Sequence, residues 1–92
     1  MTLTPQEEIE VTLEAIDDLV DAGAVPSGPA QALQATLEGA DRQLDAGRVG
    51  AAIGQLQAFI AQVNALVQAG SLSAADGRRL IDAANATLAS LG

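Results

Sequence analysis

The stretch "DAGRV" at residues 45–49 has a near copy, "DAGAV", at residues 21–25 and a looser one, "QAGSL", at residues 68–72. Each copy holds a glycine with an apolar residue two positions beyond it. Helices commonly end at a glycine in the left-handed conformation, and an apolar residue just past that end folds back onto the last turn. We therefore predict that helices end at Gly23, Gly47 and Gly70, with Val25, Val49 and Leu72 packed back against them.

Between these stops, apolar residues recur every three or four positions, which is the spacing of one face of an α-helix. The first helix begins with a capping box, in which Thr4 is the N-cap, Pro5 the first helical residue and Glu7 the third. Ser27 or Gly28 is expected to cap the second helix, and Ser73 the fourth. The predicted helices cover about 5–22, 29–46, 49–69 and 74–91. The apolar stripe of the third helix consists of Val49, Ile53, Leu56, Ile60, Val63 and Val67.

The connections between the predicted helices are very short, and short connections require neighbouring helices to run antiparallel. No segment alternates apolar and polar residues over the length of a strand. The predicted fold is therefore all-α, with four short helices in an antiparallel up-and-down bundle that forms a single domain over residues 1–92. A shift of 47 residues places Gly23 on Gly70 and Leu33 on Leu80, so the halves also fit two related helical hairpins. Duplication and the shared constraints of helical hairpins both account for this match.

The charge balance restricts the partners of this chain of 92 residues. Twelve acidic residues stand against four arginines and no lysine, for a formal net charge of −8. An acidic chain repels phosphate backbones, so we expect no nucleic-acid binding. No run of eighteen apolar residues occurs and no signal peptide follows Met1, so we also expect no membrane insertion.

The chain has few residues that could carry out chemistry, since it has no His, Cys, Lys, Tyr or Trp. The usual general bases, thiol nucleophiles and soft metal ligands are therefore missing. We expect no enzyme, no catalytic residue and no cofactor. The stretch "GRVGAAIG" at residues 47–54 lacks the Lys-Ser/Thr of a phosphate loop. Gly50 and Gly54 are instead expected to let the third helix cross a neighbour closely.

The first predicted helix carries a row of acidic residues spaced three and four apart, and therefore on one face: Glu7, Glu10, Glu14, Asp17 and Asp21. This row fits a docking face for a basic partner, a weak divalent-cation site, or a solvated face that keeps an alanine-rich domain soluble. A straight helix cannot wrap its carboxylates around one ion, so we expect no metal site. The solvated face and the docking face remain.

The stops and the apolar positions together resemble the FIMAH domain, a small helical module of large secreted bacterial hydrolases and surface proteins. The block "LDAGR" at residues 44–48, followed by Ala52, Leu56, Phe59 and Val63, is the most specific part. The other matching positions are Leu19, Val20, Gly23, Val25, Leu33, Leu37, Leu80, Ala84 and Leu88. The resemblance implies an extracellular accessory domain, and it brings no catalytic motif. The acid-rich first helix is not part of the family's pattern.

The resemblance, together with the absence of reactive residues, implies a non-catalytic accessory module of a secreted bacterial multidomain protein, acting as a spacer or as an interaction domain. Its partners would be the neighbouring domains of the parent protein or another protein. Two alternatives stay open at this point. One is a carbohydrate- or cell-wall-binding module, against which the scarcity of aromatic residues counts. The other is a free-standing helical bundle that self-associates through an apolar face.

Overall fold

The computed structural model describes residues 3–91, which form four α-helices without any strand. The helices are α1 (Pro5–Asp21), α2 (Ser27–Asp45), α3 (Val49–Gln68) and α4 (Ala74–Leu91). Each helix packs against the next one, and α4 also packs against α1, which closes the bundle around one core. Gln6 in the first turn of α1 reaches Asp45 at the end of α2, as antiparallel neighbours require. The predicted all-α up-and-down bundle is confirmed.

Each glycine stop has the left-handed backbone that was predicted, with φ of 73° at Gly23, 76° at Gly47 and 78° at Gly70. At the end of α1, the Gly23 amide donates to the Val20 carbonyl at 3.0 Å, and the Ala24 amide donates to the Leu19 carbonyl at 2.8 Å. The same pair of hydrogen bonds follows α2 and α3. These bonds satisfy carbonyls that a helix end otherwise leaves without a partner.

The apolar residues beyond the glycines behave in two ways. Val25 and Leu72 are buried, as predicted, but Val49 is 41% exposed, so the prediction for Val49 is wrong. After Gly23 and Gly70 the chain runs three residues before the next helix begins, which lets Val25 and Leu72 turn inward. After Gly47 only Arg48 intervenes, and Val49 is already the first residue of α3. The direction of the Val49 side chain is therefore fixed by its position on α3, and it does not turn toward the core.

The helix starts were predicted correctly at two of three positions. Thr4 and Glu7 form the capping box of α1, and Ser73 Oγ accepts the Asp76 amide at 3.1 Å at the start of α4. For α2 the prediction is wrong, because the N-cap is Pro26 and no side chain caps the helix. The Pro26 carbonyl accepts the Ala30 amide at 3.1 Å, so the helix begins two residues earlier than predicted. Pro29 is tolerated there because the first turn's amides have no partner within the helix.

The core of α3 differs from the predicted stripe. Its buried residues are Ala52, Leu56, Phe59 and Val63, while Ile53, Ile60 and Val67 are half-buried and Val49 is exposed. The helix packs against α2 on one side and α4 on the other. The side of α3 that faces the core therefore includes Ala52 and Phe59, which lie outside the predicted stripe.

The glycines that allow close approach are also different from those predicted. A Cβ built on Gly50 or Gly54 would meet nothing within 4 Å, so the prediction of a close crossing there is wrong. On Gly77 of α4, by contrast, a Cβ would overlap the Cγ2 of Val67 and lie 3.5 Å from the Cγ1 of Val63. The close contact of α3 with α4 is therefore made at Gly77.

The two hairpins, α1–α2 and α3–α4, bury equivalent positions. Under the shift of 47 residues, eight buried residues of the first half fall on eight buried residues of the second. The pairs are Ile9 and Leu56, Thr12 and Phe59, Ile16 and Val63, Val25 and Leu72, Ala30 and Gly77, Leu33 and Leu80, Leu37 and Ala84, and Ala40 and Thr87. In two pairs a small residue stands opposite a large one: Thr12 is the smaller partner of Phe59, and Ala84 is the smaller partner of Leu37. The likeness of the halves is therefore one of geometry as well as of sequence.

Among the described residues, α3 is long and apolar enough to cross a membrane by length and composition, with a mean hydropathy of 1.2. In the bundle, the same helix supplies the fully buried Leu56, Phe59 and Val63. A core helix of a bundle passes the same test of length and composition. The absence of membrane insertion stays a prediction.

Candidate functional site

The outward face of α1 carries a high density of negative charge. Seven of the twelve acidic residues of the chain lie between Pro5 and Asp21, and no basic residue accompanies them. The five acids that the sequence placed on one face are all exposed: Glu7, Glu10, Glu14, Asp17 and Asp21. The core residues Ile9, Thr12 and Ile16 lie on the opposite side of the helix. We call these five residues the acidic face.

Glu7 joins the acidic face to the start of α1. Its Oε1 accepts the Thr4 amide at 2.9 Å, and its own amide donates to Thr4 Oγ1 at 3.2 Å. The hydrogen bond from the Thr4 backbone amide to the ionised carboxylate lowers the pKa of Glu7 below its ordinary value of 4.5, and the Thr4 side chain adds to this effect. The acidic face is therefore ionised at its N-terminal end at neutral pH.

Hydrogen bonds between glutamine and aspartate side chains join α1 to α2. Gln34 of α2 donates to Asp17 at 2.6 Å, and Gln6 of α1 donates to Asp41 at 3.1 Å and to Asp45 at 2.6 Å. These bonds fix the orientation of Asp17 and bring the two α2 carboxylates beside the start of α1. The negative surface therefore continues from α1 onto the end of α2.

The geometry does not form a metal centre within residues 3–91, where no group of three or more acidic residues is placed to hold an ion. The carboxylates of α1 follow one another along a straight helix, whereas calcium takes six to eight oxygens that surround it. The acidic face presents its charges side by side, in an arrangement suited to an extended basic surface.

The described interior offers no reactive group. Its buried polar side chains are Thr12 and Thr87, whose hydroxyls donate to the carbonyls of Glu8 at 2.8 Å and Ala83 at 3.0 Å. None of its buried side-chain nitrogen or oxygen atoms lacks a partner. The chain's one aromatic residue, Phe59, is fully buried in the core. Chemistry or recognition therefore has to use the surface.

A depression beside the acidic face was missed by the sequence analysis. It lies between α1 and α4, has a volume of about 200 Å³, and is lined by Leu3, Glu8, Val11, Thr12, Ala83 and Ala86. Leu3 is 43% and Val11 51% exposed, and both are large apolar side chains. The available signal was Val11, an apolar residue outside the predicted stripe and between Glu10 and Glu14. Its partner helix lies about seventy residues further along the chain, which no local pattern shows.

Comparison with known proteins identifies the family. The FIMAH domain model matches residues 9–89, nearly the whole chain and all four helices, so the chain belongs to the FIMAH domain family. This is a family of small accessory domains, and four of the five residues of the acidic face lie inside the match, while Glu7 precedes it. Neither a curated protein nor a solved structure matches the chain.

Proposed function

We propose that this FIMAH domain is a non-catalytic interaction or spacer module of a secreted bacterial multidomain protein. It docks through the acidic face of α1 against a basic surface on a neighbouring domain or on another protein. The observation that carries this proposal is the concentration of charge, since α1 holds seven of the chain's twelve acids and no base. The extracellular location is part of the proposal and is supported only by what the resemblance to the FIMAH domain implies.

Such a surface favours binding through electrostatics. Clustered charges of one sign steer an oppositely charged partner during encounter and repel wrong partners. Exposed charges more than about 8 Å apart are largely screened at physiological ionic strength. Binding through the acidic face is therefore expected to weaken as salt is added. The helix itself is held by the core residues on its other side, so the charges can be removed without unfolding it.

A carbohydrate- or cell-wall-binding module is the first alternative. Sugar-binding surfaces commonly present an exposed aromatic ring, and the one aromatic residue of this chain, Phe59, is fully buried. A pull-down with purified bacterial cell walls and a glycan array test this alternative directly. Saturable binding to either would replace the proposal of protein docking.

Self-association is the second alternative. Leu3, Val11 and Val49 are the exposed large apolar residues of the described chain, and they could contact a second copy. The acidic face opposes this, since two copies that meet near α1 bring like charges together. Light scattering across a wide concentration range tests it, and a monomer throughout excludes self-association.

Carbodiimide cross-linking of the full-length parent protein tests the proposed docking. The reagent joins carboxylates to lysine amines in contact with them, and this chain has no lysine. A carboxylate–lysine link found on this domain therefore identifies a partner surface. We expect the links to concentrate on Glu10, Glu14 and Asp17, and to decrease at high salt.

A matched pair of variants completes the experiment. Glu10→Gln with Glu14→Gln removes two charges from the acidic face, and Glu38→Gln with Asp82→Asn removes two exposed charges elsewhere. We expect the first pair to abolish most links at Asp17, which keeps its own carboxylate, and the second pair to leave those links unchanged, with equal helical circular dichroism. Links spread evenly over all exposed acids, or equal loss in both variants, would contradict docking through the acidic face.

A further inference from the structure

Exposed apolar side chains cluster beside the acidic face. Of the three exposed large apolar residues in the described chain, Leu3 and Val11 line the same depression between α1 and α4. The small residues Ala83 and Ala86 of α4 form its other wall. Small side chains leave room for an incoming one, and grouped apolar surface of this kind is typical of interaction sites.

A second depression continues along the same interface. It has a volume of about 140 Å³ and is lined by Ala15, Asp18, Leu19, Asp76, Arg79 and Leu80. We call the two depressions together the α1/α4 groove. The α1 residues that line the second depression stand seven positions after those that line the first, as Ala15 does after Glu8 and Asp18 after Val11. Seven residues of α-helix span about 10 Å, so the centres of the depressions are about 10 Å apart.

This spacing selects the shape of the occupant. In a helix, residues i and i+7 lie on one face about 10 Å apart. In a strand, residues on one face are about 6.6 or 13 Å apart, and neither distance matches the separation of about 10 Å between the two depressions. The groove is therefore matched to a helix that places one apolar side chain in each depression, the arrangement of helix-in-groove recognition.

The charges around the groove select the chemistry of the same helix. Glu8 and Asp18 of α1 and Asp76 of α4 belong to its lining, and Glu7 and Glu14 of the acidic face lie one helical turn before and after Val11. Arg79 is the only basic residue in the lining of the two depressions. The rim is negative on balance, so it complements lysine and arginine side chains placed on either side of the apolar pair.

We infer that the α1/α4 groove binds a basic amphipathic helix of a partner protein, with apolar residues at i and i+7 seated in the two depressions. The inference rests on the proposed function and names the partner's chemistry: the acidic face supplies attraction, and the groove supplies the apolar contact. When Val11 packs against a leucine of the partner, apolar surface of both side chains is removed from water. This burial supplies the part of the affinity that does not come from charge.

A designed helical peptide is the probe. It carries leucines at i and i+7 flanked by lysine and arginine, and a control peptide of the same composition carries the leucines on opposite faces. In titrations of the isotope-labelled domain, we expect saturable shifts of the amides around Val11, Ala83 and Ala86 with the first peptide, and at least about tenfold weaker binding of the control, since one buried leucine accounts for about that factor.

Variants of two exposed valines separate the apolar contact from charge. Val11→Asp adds a negative charge in the groove, and Val49→Asp adds the same charge at the start of α3. We expect Val11→Asp to weaken the peptide about tenfold in spite of its added charge, since it removes one buried apolar side chain. We expect Val49→Asp to change the affinity less than twofold.

Two results overturn the inference. Equal or tighter binding by Val11→Asp would show attraction by charge alone, and equal binding of both peptides would show that the spacing of the depressions is not recognised. Either result leaves the proposed docking through the acidic face standing, because the cross-linking experiment tests that separately. If no cross-links to α1 form but the peptide binds specifically, docking through the acidic face is refuted. The inference that the α1/α4 groove binds a helix then still stands.

Discussion

The α1/α4 and α2/α3 interfaces each join a helix of the first half of the chain to a helix of the second. The shift of 47 residues makes the two interfaces equivalent, but their side chains differ. The depression of about 140 Å³ between α1 and α4 has a counterpart of about 220 Å³ between α2 and α3. The counterpart is lined by Pro29, Ala32, Leu33, Gln62, Ala65 and Leu66, and each of these stands 47 residues from a lining residue of the other. In the α1/α4 interface the equivalents of Pro29, Ala32 and Ala65 are Asp76, Arg79 and Asp18.

The two interfaces therefore have equivalent backbone positions but different side-chain contacts. Between α2 and α3, Thr36 donates to Gln62 at 2.8 Å, and the Gln55 side chain covers Gly39. The equivalents of Gln62 and Thr36 in the other interface are Ala15 and Ala83, which make no such bond and leave the groove open. The α2/α3 contact is also the most extensive of the bundle. The hydrogen bond and the more extensive contact indicate that α2/α3 contributes more to stability than α1/α4, the interface that we propose for binding.

The largest effect is expected at the pair Thr12 and Phe59, which occupy equivalent buried positions in the two halves. Phe59→Ala should cost about 3–5 kcal/mol, because it removes a large buried ring and leaves a cavity. Thr12→Ala should cost only about 1 kcal/mol, since it removes one hydrogen bond and little volume. Urea unfolding at constant m-value measures both. If Phe59→Ala is too unstable to fold, Phe59→Leu should still lower the free energy of unfolding more than Thr12→Ala does. Equal losses would contradict the expectation that these two equivalent positions contribute unequally to stability.

A second test introduces at Gly77 of α4 the residue that occupies the equivalent position of α2, Ala30. Gly77→Ala places a Cβ where Val67 Cγ2 lies, which costs about 1–3 kcal/mol in strain, against about 1 kcal/mol gained in helix propensity. We expect a net loss of about 1 kcal/mol in thermal or urea unfolding. The matched control is Gly54→Ala, which meets nothing within 4 Å and should gain up to about 1 kcal/mol. Stabilisation by both variants would show that α3 and α4 can separate at Gly77.

These positions show which parts of the fold a sequence determines locally. The helix ends at Gly23, Gly47 and Gly70 were predictable, because the hydrogen bonds that close them join residues within five positions of one another. The roles of Val49 and Gly77 were not, because they depend on where α3 sits between α2 and α4. The exposure of the acidic face was predictable, since apolar residues occupy the other side of α1. The groove was not, since α4 supplies its second wall.

A third test converts one interface toward the other. Gln62→Ala introduces into α2/α3 the residue found at the equivalent position of α1/α4, Ala15, and removes the hydrogen bond to Thr36. We expect a loss of about 1 kcal/mol in unfolding free energy. The reverse change, Ala15→Gln, should alter stability by less than about 0.5 kcal/mol, as is usual for partly exposed positions, while it fills part of the groove. A loss of stability in Ala15→Gln as large as in Gln62→Ala would mean that both interfaces contribute equally.

The smallest effect concerns the starts of α1 and α3, the equivalent helices of the two halves. The start of α1 is capped by Thr4 and Glu7, whereas no side chain caps α3 at Arg48. Because the folded state lowers the pKa of Glu7, its contribution is complete above the ordinary value of 4.5 and is lost as the pH falls through the lower, folded value. Glu7→Gln keeps a side chain that can complete the capping box but does not titrate.

Stability curves between pH 3 and pH 6 reveal this contribution as a difference between variants. The wild type should lose stability on acidification relative to Glu7→Gln, and the difference between the two should shrink toward the acid end as the wild-type carboxyl becomes protonated. Glu10→Gln is the control, because it removes a charge from the same face without touching the cap. An identical pH dependence in Glu7→Gln and Glu10→Gln would mean that acid acts only by relieving repulsion along the acidic face. The capping carboxylate would then leave the start of α1 no different in its response to acid from the uncapped start of α3.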